Sequence, residues 1–298
     1  MDIFEKIIKS FPVRRSKREK AAFCGFALSE SRALGYSAEV QTLGKRHNNI
    51  VVGSIEEAEV ILCAHYDTPA RSLVPNIMMP KNKLLHLCYA MLFPVFYAIA
   101  ALIMAYALTE LFSLNKYYTV FIYLALYFCI FYLAMLCFPN KNNYNDNTSG
   151  VATLFKIMES SRKNEVAFVF FDNEEKGLLG SKAFAKAHPV LNKKLIINLD
   201  CVGNGTDFVL AATSEAEKNG FYLKIKERLS QRSEFHFFTS RECAYNSDNK
   251  SFKTSVGICA VRKSKLVKFY TPRIHTPRDT VADICNMELL AFELSAAL

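Results

Sequence analysis

Five short stretches of the 298-residue chain carry side chains that could hold a metal or move protons. They are His65-Tyr66-Asp67, Asn145-Asp146-Asn147-Thr148-Ser149-Gly150, Asp172-Asn173-Glu174-Glu175, Asp200, and the run from His275 to Thr280. None is specific by itself. His65 and Asp67 stand two apart, so in extended chain they point the same way, as an imidazole ligand and its orienting carboxylate would. The asparagine-rich stretch reads equally well as a turn capping the helix after it. Adjacent Glu174 and Glu175 are ordinary loop charges unless something gathers them. If these groups do converge away from water, four or five carboxylates need a cation to neutralise them.

The surrounding elements supply a reason for convergence. Three continuous apolar runs of strand length, Glu59–Ala64, Val166–Phe171 and Leu195–Leu199, each lead directly into one of the polar groups. Helical patterns alternate with them at Gly150–Arg162, Leu179–Ala187, Ala216–Gln231 and Met287–Ala297. A basic helical stretch, Arg14–Leu34, and two short strands near Ala38–Leu43 and Asn49–Val52 precede them. Apolar strands alternating with helices predict an α/β fold with a mostly parallel sheet covered on both faces. In such sheets the ligand site lies beyond the carboxyl ends of the strands, where all three polar groups fall.

Taken in order, HYDTP, NDNTSG, FDNEEKGLLGS, NLD and HTPRDT resemble the motifs of the co-catalytic dinuclear zinc aminopeptidases. That metallopeptidase family also holds carboxypeptidase-like members, glutaminyl cyclases and the inactive transferrin receptor. The resemblance implies a three-layer zinc-peptidase fold. It implies His65, Asp146, Glu175, Asp200 and His275 as ligands of two zinc ions, with Asp146 bridging them. It further implies Glu174 as general base and Asp67 as the orienter of His65. The family's serine–aspartate–histidine motif reads Ser247-Asp248-Asn249 in this chain, which leaves substrate contacts there open. Independently, imidazole nitrogens and carboxylate oxygens without thiolate suit zinc, with manganese or cobalt as substitutes. Such a metal would activate water at neutral pH, with Glu174 taking its proton and returning it to the leaving amine. Tyr245, near the altered motif, is a candidate donor to the developing oxyanion.

Composition adds a second theme. Hydrophobic residues make up 51% of the chain, with 24 Phe and 14 Tyr but no Trp, which excludes disorder and small disulfide scaffolds. The surplus is concentrated between Leu84 and Phe138, where Glu110 and Lys116 are the only formal charges. Two runs there, Leu84–Thr109 and Tyr118–Phe138, are long enough to cross the ~30 Å hydrocarbon core at ~1.5 Å per residue. The sequence thus predicts a catalytic domain formed by residues 1–83 and 139–298, interrupted by a transmembrane hairpin at 84–138. Arg71, Lys81, Lys83 and Lys141 on the flanks outnumber Lys116 in the hairpin loop, which predicts cytoplasmic flanks. A charged start without an apolar run, and nine scattered cysteines with no CxxC pair, agree with that side of the cell's inner membrane.

The combined expectation is a multi-pass membrane zinc exopeptidase, most simply an aminopeptidase, acting on peptides. A glutaminyl cyclase-like transferase and a non-catalytic membrane assembly factor are the alternatives. Beyond the excess of 37 Lys and Arg over 28 Asp and Glu, nothing suggests nucleic-acid binding. The basic N-terminal segment reads as a solvated helix face or a contact with anionic lipid. Since 81 positions separate His65 from Asp146 and the hairpin fills most of them, both spans should leave from the edge of the active site.

Overall fold

The computed structural model describes residues 1–44, 46–72, 76–134, 138–161 and 165–298. Two helices open the chain, α1 (Ile3–Ser10) and α2 (Lys17–Ala33), the latter started by a Ser16/Glu19 capping box. Strands β1 (Ala38–Leu43), β2 (His47–Val52), β3 (Val60–His65) and β4 (Asn76–Met78) follow. Next come the apolar helices α3 (Lys83–Leu111) and α4 (Tyr117–Tyr132). The second half alternates as α5 (Gly150–Ser160), β5 (Val166–Phe171), α6 (Leu179–Ala187), β6 (Leu195–Leu199), β7 (Asp207–Ala212), α7 (Gly220–Leu229) and β8 (Phe235–Thr239). It ends with β9 (Ser255–Ser264), β10 (Lys268–Ile274) and α8 (Ile284–Ala297).

The described strands form one sheet in the order β1-β2-β5-β3-β6-β9-β10-β4, with β7 on the other edge of β9 and β8 beyond it. The central strands β5, β3, β6 and β9 are parallel, whereas β1, β2, β7, β10 and β4 join through antiparallel pairings. β3, β5 and β6 are buried at every position, and their side chains alternate between two cores. Val60, Leu62, Ala64, Phe168, Phe170 and Ile197 face the larger core under α1, α2, α5, α7 and α8. Ile61, Cys63, Ala167, Val169, Phe171 and Ile196 face the smaller one under α6. This is the expected three-layer fold, with antiparallel edges that the apolar pattern did not reveal.

The expected helix Ala216–Gln231 divides: a short turn at Ala216–Lys218 precedes α7, whose cap is the Asn219 side chain. The end of the expected helix Gly150–Arg162 falls at residue 162, outside the described residues.

Helices α3 and α4 pack against each other through a stripe at four-residue spacing, Tyr97, Ala101, Ala105 and Thr109. Thr109 and Thr119 share a 3.0 Å hydroxyl contact near the connecting turn. The 29 residues of α3 reach ~44 Å, ample for a bilayer. The 16 of α4 reach only ~24 Å, so the expected second span Tyr118–Phe138 is helical over a shorter length. Residues 135–137 of that span lie outside the described residues. Both helices spring from one root. Ala70 and Pro139 form an antiparallel bridge, and the Arg71 N–H donates to the Phe138 carbonyl at 2.7 Å. The Ser72 N–H donates to the His275 carbonyl at 2.6 Å, and β4 pairs with β10, the strand that ends one residue before His275. The hairpin is therefore rooted in the sheet immediately beside the candidate site.

Candidate metal centre

Strand register brings the polar groups level. His65 of β3 pairs with Phe171 of β5, and Cys63 pairs with Asn198 of β6, so His65, Asp172 and Asp200 emerge along one edge. After β5 the chain reverses through Asn173 in the left-handed region (φ 55°) into a single turn carrying Glu174 and Glu175. Gly180 permits this sharp return, since a Cβ there would lie 2.0 Å from the Asp172 carbonyl oxygen. Cys201 and His275 are also left-handed, at φ 60° and 59°. Such residues cost about 1–3 kcal/mol each, and here they flank or carry the candidate ligands.

Asp146 occupies the centre. Its Oδ1 lies 3.3 Å from His65 Nε2, which is itself 3.7 Å from Asp200 Oδ1. Its Oδ2 lies 2.9 Å from His275 Nε2, which is 3.4 Å from Glu175 Oε2. Two groups of three potential donors result, His65/Asp146/Asp200 and Asp146/Glu175/His275, each with its ligand atoms within 4.8 Å of one another. A carboxyl oxygen of Glu174 falls within the same distance of donor atoms of His65 and Glu175. Among the buried atoms without a hydrogen-bond partner are Glu175 Oε1 and Asp200 Oδ1, which is how cation donors look when only protein surrounds them. The donor set fits one or more zinc ions.

The supporting contacts are specific. Asp279 accepts the backbone N–H groups of Asn145 (3.0 Å) and Asp146 (3.1 Å). Asn145 Oδ1 accepts from Gly203 and Asn204, and Asn147 Oδ1 from Gly150 and Cys201, tying this loop to the one after β6. A Cβ at residue 150 would meet the Leu199 carbonyl at 2.4 Å, so glycine lets the helix start against β6. The asparagine-rich stretch is thus no simple helix cap; it holds Asp146 beside Asp200. Asp67 also acts differently from expectation. His65 Nδ1 meets the Asp67 backbone carbonyl at 3.1 Å, while the Asp67 carboxylate is 3.7 Å away. That carboxylate instead accepts the N–H groups of Glu174 (3.0 Å) and Glu175 (3.3 Å). Asp67 therefore orients the imidazole through its main chain and the glutamates through its side chain.

Charge crowding sets the titration of the site. Burial, with further repulsion from Glu175, Asp248 and Asp200, pushes Glu174 well above the usual carboxylate range despite His65. Glu175 is pushed up to about 8 by burial, against His275 and with Asp146 adding to the rise. Burial and the Asp146 charge push Asp279 up to about 8. Against their own burial, the two histidines rise, His275 to about 10 beside Glu175 and Asp146, and His65 beside Glu174 and Asp146. Asp146 is held low by the two imidazoles in spite of burial.

Two basic residues of the N-terminal segment belong to this site rather than to solvent or lipid. Lys20 is buried, paired with Asp172 and donating to Asn173 Oδ1 at 2.8 Å. Arg14 is fully buried, donating to the Tyr66 and Phe11 carbonyls and to Thr148 Oγ1. Nothing in their spacing distinguished them from neighbouring Lys17 and Arg18. Tyr245 is not brought to the cavity: it packs on Gly257 and its hydroxyl donates to the Ile258 carbonyl at 3.4 Å. Ala244 and Asn246 of the same loop line the cavity instead. Ser247, Asp248 and Asn249 are buried and are not among the residues that line the cavity. Neither Asp248 oxygen has a hydrogen bond of ordinary geometry, and burial pushes the group up to about 7.

The candidate ligands and Glu174 open together into a cavity of about 850 Å³, lined by His65, Asp146, Glu174, Glu175, Asp200 and His275 among others.

Solved structures share this architecture. A glutaminyl cyclase from Porphyromonas gingivalis aligns with a TM-score of 0.61 at 14% identity, covering 99% of this chain and 94% of that one. A Zn-dependent exopeptidase from Parabacteroides distasonis aligns with a TM-score of 0.57 at 15% identity and the same coverages. In sequence, the chain is 32% identical over 151 residues to a vacuolar membrane protease of Candida glabrata. That stretch is 48% of this chain but 15% of the fungal protein. The family model for Peptidase family M28 matches residues 138–297, from the end of the hairpin almost to the C-terminal residue and including four of the five candidate ligands. With more than half its length matched, the chain belongs to peptidase family M28.

Proposed function

We propose that the protein is a membrane-anchored, zinc-dependent aminopeptidase that removes N-terminal residues from peptides. The observation that carries this reading is Asp146, whose two oxygens face two separate groups of nitrogen and oxygen donors. His65 and Asp200 would hold one ion, Glu175 and His275 the other, and Asp146 both. Zinc bound there would supply Lewis acidity to the scissile carbonyl and lower the pKa of water to about 7. Glu174 takes the proton from the attacking water and delivers it to the departing amine. Its raised affinity for protons suits that return step. Asp67 holds the main chain of Glu174 and Glu175 in place during both transfers.

Residues 1–83 and 139–298 form the catalytic domain in this reading, and 84–138 anchor it. The exposed apolar surface of α3 and α4 and the names of the fungal relatives support an anchor. The four-to-one excess of Lys and Arg on the flanks supports a cytoplasmic site at the inner membrane.

Metal analysis together with hydrolysis of short peptides tests the reading, for wild type and Glu174→Gln. Two zinc ions per chain, release of free amino acids, and a Glu174→Gln protein that keeps metal but not turnover are expected. Wild-type turnover in the metal-loaded variant would remove Glu174 from its role. Conversion of Gln-first peptides to pyroglutamyl products, with a single zinc, would identify a cyclase instead.

A further inference from the structure

The cavity is lined by two chemically different groups of residues. Besides the carboxylates and imidazoles, its lining includes residues of the hairpin: His86, Tyr89, Phe93 and Tyr97 of α3, with Phe131 of α4. The four α3 positions recur at intervals of three and four, which places them on one helix face. Tyr97 is buried and the other three are half-buried, whereas Leu87, Met91, Leu92 and Phe96 between them are exposed. Helix α3 therefore presents one apolar face outward and a different, aromatic face to the cavity. Tyr89 and Phe93 meet edge to face with ring centroids 5.8 Å apart. Pro94, also at the wall, has no N–H to give the Ala90 carbonyl, leaving an acceptor on that side of the helix.

This wall is fixed relative to the metal centre. The bridge between Ala70 and Pro139 closes the hairpin root, and the Ser72–His275 backbone bond and the pairing of β4 with β10 join that root to the strand leading into His275. A simple tether would need none of these. A cavity of about 850 Å³ holds several residues of an extended peptide rather than a single amino acid.

We propose that the aromatic stripe of α3 and Phe131 is a specificity wall, receiving large apolar side chains at the N-terminal end of the substrate. The preferred substrates are then peptides beginning with residues such as Phe or Leu. A charged side chain placed there would be desolvated without a partner. This inference rests on the peptidase reading above, and its test separates the two.

The full chain in detergent micelles with zinc is assayed on Phe-Ala-Ala and Ala-Ala-Ala, for wild type, Tyr89→Ser, Phe93→Ser and Phe96→Ser. The ratio of kcat/KM for the two peptides should fall by about tenfold or more in the Tyr89 and Phe93 variants, chiefly through KM. It should hold in Phe96→Ser, which alters the outward face of the same helix. An unchanged ratio in both stripe variants, or an equal fall in Phe96→Ser, overturns the proposal. Since the chain has no Trp, binding of Trp-Ala-Ala is read by fluorescence without background, using zinc-loaded Glu174→Gln. Adding Phe93→Ser should weaken that binding about tenfold or more; equal binding refutes the wall. Tight, Phe93-dependent binding without any wild-type hydrolysis would instead refute the peptidase reading and leave the wall standing.

Discussion

Phe168 and Phe121 are the same residue in two different solvents. Phe168 lies in β5 with none of its surface exposed, between strands and helices; Phe121 lies in α4 with 70% exposed. The contrast extends to the regions around them. In the sheet, apolar side chains of β3, β5 and β6 alternate between two cores, and the candidate ligands are gathered at one edge. In α3 the buried residues are the stripe Tyr97, Ala101, Ala105 and Thr109, whereas Leu102, Ile103, Tyr106, Phe121 and Phe128 of the two helices are exposed. An all-round apolar helix is stable where its surroundings are apolar, and the protein itself supplies no such surroundings here. One region buries its apolar side chains within the protein; the other leaves them on its surface.

The largest effect expected on one side of this contrast is catalytic. Glu174→Gln should lower kcat by about 10²–10⁴-fold with zinc content unchanged, while Phe121→Ala leaves turnover in micelles as it was. Comparable losses in both would mean that the hairpin takes part in the chemistry throughout its length. Stability offers a sharper version. Phe168→Ala should cost about 3–5 kcal/mol in denaturant unfolding of the protein in detergent, and Phe121→Ala less than about 0.5 kcal/mol. If Phe121→Ala proves equally damaging, the outer face of α4 is covered by protein and not by lipid.

Smaller changes probe how the polar edge is held. Asp279→Ala leaves the Asn145 and Asp146 N–H groups without their acceptor, and zinc affinity should weaken about 10–100-fold in competition with a chelator. The mildest perturbation is pH. Asp279 and Glu175 at about 8 and Asp248 at about 7 bind protons more tightly in the folded than in the unfolded chain. Their contribution is complete below about pH 4 and is lost as the pH rises through 7 to 8. His275, raised to about 10, acts in the same direction over that range. The metal-free protein should therefore melt at progressively lower temperature between pH 5 and 9. Added zinc, by neutralising the carboxylates, should flatten that slope; a slope that persists with zinc bound would place its origin outside the metal centre.

Much of the fold could be read directly. β5, β6 and α6 begin and end at the expected residues, because a fully buried strand is a continuous apolar run and α6 has a clear amphipathic period; the half-exposed β1 also matches. β7, β8, β9 and β10 were not assigned beforehand, although FVLAA, FHFFT and SVGICAV are strand-like once seen. Their identity as strands depends on pairing, β9 with β6, β7 and β10 and β8 with β7, and pairing partners are not fixed by local sequence. The expected span Tyr118–Phe138 is longer than α4, which ends at Tyr132, and its residues 135–137 lie outside the described residues. At the site, the ordered motifs singled out the five candidate ligands and Glu174. They could not show that Asp67 reaches the glutamates with its side chain and the imidazole with its main chain. Nor could they distinguish Arg14 and Lys20 from the solvated lysines and arginines beside them.

The sequence by itself determined which side chains are available for chemistry, which strands must be buried, and that an apolar segment separates His65 from Asp146. Those properties are local: residue type, period and order along the chain. The tertiary structure alone decided that Asp146 turns one oxygen to each histidine, that the Tyr245 hydroxyl meets the Ile258 carbonyl, and that aromatic residues of α3 line the same cavity as the carboxylates. Each depends on a contact made across the fold, between residues whose types are compatible with many partners.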